Sequence, residues 1–97
     1  MIQSFRDQGT RDIFDGTASK RAAKTCPQAI WPVARRKLDR LNQADSLQDL
    51  RSPSSNRLEA LKDDRKGQHS IRINDQYRVC FRWGQRGPED VEIVDYH

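Results

Sequence analysis

The chain has few of the residues that announce a specialised scaffold. In 97 positions it holds two cysteines, four prolines, five glycines, two histidines and 7% aromatic residues. Cys26 and Cys80 stand far apart, with no CxxC pair and no Cys/His ligand spacing. That argues against a disulfide framework or a zinc site and predicts two free thiols in a reducing compartment, Cys80 within a strand. No run approaches the ~20 apolar residues that a bilayer-crossing helix needs. The opening Met1-Ile2-Gln3-Ser4-Phe5-Arg6 has no signal-peptide apolar stretch, so a cytoplasmic protein without membrane contact is expected. There is no Gly-rich phosphate loop, no GxSxG elbow and no metal-ligand array. His69 and His97 alone do not make a metal site, and His69 reads as a packed strand residue. No cofactor is expected.

What is there is charge. Apolar residues make up 34% of the chain and charged residues 33%, enough for one domain over residues 1–97 with one modest core. The net charge is +4, and thirteen of the eighteen cations are arginine. Arginine's planar fork fits phosphate and stacks on rings, so the bias favours a nucleic-acid partner over mere solubility, with a generic basic surface the alternative on composition alone. Residues 51–86 hold nine cations and four anions, whereas residues 87–97 hold four anions and no cation. The acidic end is therefore expected to fold back on the basic middle.

The order of patterns predicts an α+β layout. Ile2 to Phe5 reads as a short first strand. Thr10 can cap a brief helix through Phe14 that stops at Gly16. Residues 17–27 read as a loop or a loose helical turn. Pro32 suits a first helical turn, and Trp31, Ala34, Leu38 and Leu41 recur at helical spacing to about Asn42. Ser46 can cap a last turn through Leu50, and Ser52-Pro53-Ser54-Ser55-Asn56 is a turn cluster. Leu58 and Leu61 flank Glu59, and Asp63 to Gly67 form a charged turn. His69, Ile71 and Ile73 alternate with polar residues, as do Tyr77, Val79, Phe81 and Trp83, predicting half-buried strands. Asn74-Asp75-Gln76 joins them as a hairpin, Gly84 to Pro88 is a second turn, and Val91 and Ile93 belong to a final strand. Helices first and a meander after predict helices on one face of an antiparallel sheet.

Face parity then predicts neighbours. Placing Ile71, Ile73, Val79 and Phe81 on one face pairs Ile73 with Tyr77 and Arg72 with Arg78. Opposed arginines repel unless an anion bridges them or solvent surrounds them. The same parity brings Arg78 near Tyr96 and makes Arg82 and Glu92 an ion pair. Two arginines, a tyrosine and a terminal histidine have the composition of a phosphodiester-handling site. Lys62, Arg65 and Lys66, in the charged turn, can add phosphate contacts.

The run from Asn56 to Phe81 carries Leu61-Lys62-x-x-Arg65-x-Gly67 and Asn74-Asp75-Gln76-Tyr77-Arg78, and the chain closes on Asp95-Tyr96-His97. These segments resemble the plasmid-maintenance killer proteins, the HigB/GraT branch of the RelE/ParE toxin superfamily. The resemblance spans nearly the whole length and is weakest from about residue 7 to 30. It implies a compact microbial-RNase-like, RelE-type fold, with N-terminal helices packed on a curved antiparallel sheet. It implies a type II toxin that cleaves mRNA on the ribosome without a metal. It also implies neutralisation by a HigA-type helix-turn-helix antitoxin, with operator DNA bound only through that complex.

The motif positions implied by the resemblance are Lys62, Arg78, Asp95, Tyr96 and His97. Arg78, with Lys62 and Arg72, would stabilise the phosphorane. His97 or Glu59 would move protons, Tyr96 would orient or stack on a base, and Asp95 would position its neighbours. Arg65, Lys66 and Arg82 would extend the RNA contact. Glu59 is a departure, because some active members carry histidine there. It keeps open a toxin-fold protein that acts without cutting RNA, by corepression with its antitoxin or by disturbing ribosome assembly. A ParE-like gyrase poison is a further alternative on the same fold.

Overall fold

A computed structural model describes residues 1–96. It has three α-helices, α1 (Gln8–Asp15), α2 (Lys20–Thr25) and α3 (Trp31–Gln43), followed by four strands, β1 (Glu59–Ala60), β2 (His69–Arg72), β3 (Tyr77–Gly84) and β4 (Gly87–Asp95). The strands form one antiparallel sheet in the order β1-β2-β3-β4. The expected α+β arrangement is what forms. Short 3₁₀ turns fill the connections at Leu47–Arg51, Ser54–Asn56 and Asp63–Arg65.

Caps decide where the first helices begin. Asp7, not Thr10, caps α1, its carboxylate accepting from Thr10 N. Thr10 lies inside the helix, fully buried, and its hydroxyl accepts the Ile93 N–H at 3.0 Å, tying α1 to β4. Gly16 ends the helix at φ 80°, the left-handed conformation that glycine adopts without a Cβ clash. The segment expected to be a loop or a loose helical turn contains a regular helix, α2. Ser19 Oγ accepts from Ala22 N and donates to Asp12 Oδ2 at 2.6 Å, so the cap and the α1–α2 contact share one hydroxyl. Gly9 lets α2 approach: a Cβ there would lie 2.0 Å from Thr25 Oγ1. Ala22 is the one buried residue of α2, too little apolar surface to produce a periodic pattern.

α3 follows its apolar stripe. Trp31, Ala34, Leu38 and Leu41 are buried, Pro32 occupies the first turn, and the helix ends at Gln43. They join Ile13, Ile71, Ile73, Val79, Phe81, Val91 and Ile93 in the core between the helices and one face of the sheet. Each such aliphatic side chain is worth roughly 1.5–3 kcal/mol of burial.

The N-terminal strand does not form. Residues 2–6 run parallel to β4, with Gln3 N bonded to Pro88 O, Val91 N to Ser4 O and Arg6 N to Val91 O. Ser4 Oγ takes the Asp90 N–H and Asn42 Oδ1 takes the Ile2 N–H, so side chains interrupt the ladder and one bridge, Phe5 to Val91, remains. The second turn is shorter than expected: β3 and β4 continue to Gly84 and from Gly87, leaving Gln85 and Arg86 between them.

The strands are not half-buried throughout. Arg78, Val79, Cys80 and Phe81 are all buried, as is Ser70. The charged turn and the Arg57 carbonyl meet the face away from the helices. Arg65 reaches Glu92 across it, and the Arg57 carbonyl accepts from Arg78. Leu61 and Cys80 are buried outside the main core cluster, on this second side. Both cysteines are free and buried, and burial pushes each thiol up to about 11. Among the described residues, no helix is long and apolar enough to cross a membrane.

Candidate functional site

Register builds the site in rows. Glu59 pairs with Ser70, Ser70 with Cys80 and Cys80 with Glu92, one row across all four strands. The next row is Arg72, Arg78 and Val94. Beyond it, Tyr96 N donates to Gln76 O at 2.7 Å. Paired residues share a face, so these rows lie together on the side away from the helices.

Around the second row is a depression of about 270 Å³, lined by Arg57, Glu59, Arg72, Asn74, Asp75, Arg78 and Tyr96. Four of the residues singled out from the sequence therefore meet there: Glu59, Arg72, Arg78 and Tyr96. Asn74 Oδ1 builds the hairpin edge of the depression, accepting from Gln76 N and Tyr77 N.

The opposed arginines avoid each other through separate partners. Arg78 is 9% exposed, and its Nε donates to Ser70 Oγ at 2.7 Å while Nη2 donates to the Arg57 and Ser70 carbonyls. Its Nη1 amino group is the part of the fork outside these bonds. Arg72 is ion-paired with Asp75. Glu59 is exposed on the short edge strand, and Tyr96 is 36% exposed. Asp95 pairs with Tyr77 across the ladder and accepts from Gln76 Nε2 at 3.0 Å. Burial, and then the Asp95 charge, raise the Tyr77 hydroxyl above its ordinary value. His97 lies outside the described residues.

The other expected cations are placed elsewhere. Lys62 and Lys66 are exposed on the charged turn, and the depression is lined without them. Arg65 Nη1 donates to Glu92 Oε1 at 2.8 Å and to Gln68 Oε1 at 3.0 Å; the Glu92 bond chiefly raises the guanidinium's pKa. The expected Arg82–Glu92 pair is not made. The ladder shifts register between Cys80 and Arg82, so Arg82 faces Glu89 and lies 3.8 Å from Asp90. A bulge adds a residue to one strand and re-aims the side chains beyond it. Glu92 instead takes Arg65 and, at 3.9 Å, Arg6.

Two site residues are legible only in the structure. Arg57 contributes its carbonyl to Arg78 from a left-handed backbone at φ 45°, and Ser70 contributes its hydroxyl from a buried position. Neither carries a sequence signal beyond its place, Arg57 just before β1 and Ser70 within β2. A larger depression, about 420 Å³, lies around Leu47, Arg51, Leu58 and His69 and also touches Arg57. His69 packs as expected, its ring stacked on Phe81 at 6.2 Å. Among the described residues, no group of three or more His, Cys, Asp and Glu side chains could hold a metal ion.

The family model for RelE-like toxins of type II toxin–antitoxin systems, HigB, matches residues 3–97. Toxin HigB-1 of Vibrio cholerae serotype O1 is 36% identical over 83 residues, covering 86% of this chain and 84% of that protein. An uncharacterized protein of Haemophilus influenzae is 39% identical over 57 residues, 59% of this chain and 56% of that one. Among solved structures, the YoeB-YefM complex from Staphylococcus aureus matches with a TM-score of 0.58, covering 100% of this chain and 98% of that chain at 12% identity, a likeness of fold.

Proposed function

Because the chain belongs to the HigB family of RelE-like toxins from type II toxin–antitoxin systems, we propose that it arrests growth by cutting mRNA on the ribosome. One observation carries this reading: Glu59, Arg72, Arg78 and Tyr96 surround a single depression on one sheet face. Cations, a carboxylate and a phenol are the groups that transphosphorylation needs.

The ribose 2′-oxygen attacks the adjacent phosphorus, and the bond to the 5′-oxygen breaks. The products are a 2′,3′-cyclic phosphate and a free 5′-hydroxyl. Glu59 takes the 2′-hydroxyl proton. Arg78, through its Nη1 group, and Arg72 stabilise the charge that builds on the non-bridging oxygens. Tyr96 stacks on the neighbouring base, and Asp95 positions the hairpin end beside it. His97 returns a proton to the leaving 5′-oxygen. The reaction needs no metal, because these groups supply both proton transfer and charge stabilisation.

The partner that restrains the toxin is an antitoxin, and a HigA-type helix-turn-helix protein is the proposed one; operator DNA is bound only through that complex. A second reading rests on Glu59 and on the bonds that hold Arg78 within the protein: the same face grips RNA without cutting it. The experiment is 5′-end mapping of mRNA on purified ribosomes with wild type, Glu59→Gln and Arg78→Ala. New 5′ ends with wild type, and a strong loss with both variants, support the nuclease. Intact ends in arrested cells favour the second reading, and inhibited gyrase supercoiling with intact ends would favour a gyrase poison.

A further inference from the structure

The whole chain carries +4, yet residues 20–43 alone hold seven cations and one anion, a net +6. Everything else, the sheet included, therefore sums to −2. The acidic last strand meets the cations around the sheet: Glu92 takes Arg65 and Arg6, and Asp90 takes Arg82. The surplus of residues 20–43 lies on α2 and α3.

On α3 that surplus adjoins the candidate site. Arg36 and Arg40 are exposed and one helical turn apart. Lys37 turns inward, its Nζ donating to Asn56 Oδ1 at 2.6 Å. Asn56 is buried, donates to the Leu50 and Ser52 carbonyls, and immediately precedes Arg57 of the depression. Burial, and then the charges of Arg40, Arg36 and Arg72, hold the Lys37 ammonium below its ordinary range. Arg72 is itself a lining residue, so one cation of the depression also acts on Lys37 of α3. Asp39 is the one acidic residue of α3. Asp49 shares a shallow depression with Arg40, and its Oδ2 already accepts the Asp45 and Ser46 N–H groups. A merely solvating face intersperses both signs. Cations converging on a half-buried lysine whose hydrogen-bond partner is a neutral amide raise the energy of the free protein, and an arriving anion relieves it.

We propose that Arg36, Lys37 and Arg40 form a second phosphate-binding edge, which holds the backbone of the same RNA strand whose scissile phosphate lies in the depression. The proposal rests on the RNA-cleaving reading above and extends it. Contacts of this kind position a strand and set its affinity without reading its sequence. The edge makes the toxin's grip depend on RNA beyond the nucleotides at the cut.

The test uses full-length protein and 2′-O-methyl RNA, which lacks the attacking hydroxyl, in strands of about 12 and about 4 nucleotides, a typical range of single-strand site sizes. Arg36→Ala/Arg40→Ala should weaken binding of the long strand about tenfold and leave the short strand unchanged. Its salt slope should fall by roughly 1.4, at roughly 0.7 per single-strand phosphate contact. Arg36→Lys/Arg40→Lys should restore most of the slope. The variant's melting curve, expected to match wild type because both side chains are exposed, guards against misfolding. Equal long-strand binding by wild type and variant, equal losses on both lengths, or no length dependence in wild type would each overturn the proposal. So would a loss confined to whole ribosomes or to the antitoxin, which would assign the edge to that partner. Length-dependent binding without cleavage on ribosomes would sink the nuclease reading and leave this edge standing.

Discussion

Arg78 donates its Nε proton to the Ser70 hydroxyl on the neighbouring strand at 2.7 Å, directly beside Arg72, its cross-strand partner. This bond turns a repulsive pair into a placed one. With Nε and Nη2 engaged by Ser70 and the Arg57 carbonyl, the guanidinium plane is set, and among the described residues Nη1 is the group outside these bonds, the one proposed to meet phosphate. A lysine carries one charged centre and cannot span these partners while also reaching an anion. Arg78→Lys is expected to lose about as much cleavage as Arg78→Ala. Ser70→Ala, which leaves Nε unpartnered in a buried place, is expected to reduce stability by about 1–3 kcal/mol. Near-wild-type cleavage by Arg78→Lys would contradict this placement.

Arg65 and Glu92 fasten the charged turn over the sheet, and Cys80 lies buried in the same row as Glu92. Arg65→Ala should therefore loosen residues 62–67 and expose the Cys80 thiol. Hydrogen exchange of the turn amides and the rate of Cys80 alkylation should both rise, while Cys26 stays protected. Unchanged Cys80 labelling would show that the turn is held by other contacts.

In the intact protein both thiols are pushed up to about 11 by burial. At pH 8 neither supplies much thiolate, so alkylation should be slow until the protein unfolds. Fast labelling of either cysteine in folded protein would contradict the burial.

Asp12 accepts from Ser19 Oγ and Gln8 Nε2 where α1 meets α2, and these bonds lower its pKa. A depressed carboxylate contributes stability that is present above the unfolded value and is lost as pH falls through the folded one. Asp12→Asn should melt lower than wild type at neutral pH. The gap should close only as pH drops past the ordinary ~3.9 toward the lower folded value. Melting curves across that window check it; a constant gap would mean that charge is not the cause.

Much of this arrangement can be read from the residues, for physical reasons. The Trp31–Leu41 stripe is legible because one face of α3 buries against the sheet and the other does not. The Arg72–Arg78 pairing follows from the period of two and a short hairpin. α2 escapes because its hold on the fold is a cap hydroxyl and a glycine contact, which leave no periodic trace. The Arg82–Glu92 pairing fails because the register shift after Cys80 adds a residue that alternation cannot reveal. Arg57 escapes because its contribution to Arg78 is a backbone carbonyl, identical in every residue type.

The central claim is that the face holding Glu59, Arg72, Arg78 and Tyr96 cleaves ribosome-bound mRNA. Its most direct test is 5′-end mapping of a defined mRNA on purified ribosomes, with wild type, Arg78→Ala and a chain ending at Asp95. Wild type should give discrete new 5′-hydroxyl ends, and each variant should lose at least about a hundredfold in cleavage rate, as expected when charge stabilisation or proton transfer is removed. Both variants cutting at the wild-type rate, or wild type arresting growth while every mRNA end stays intact, would contradict it.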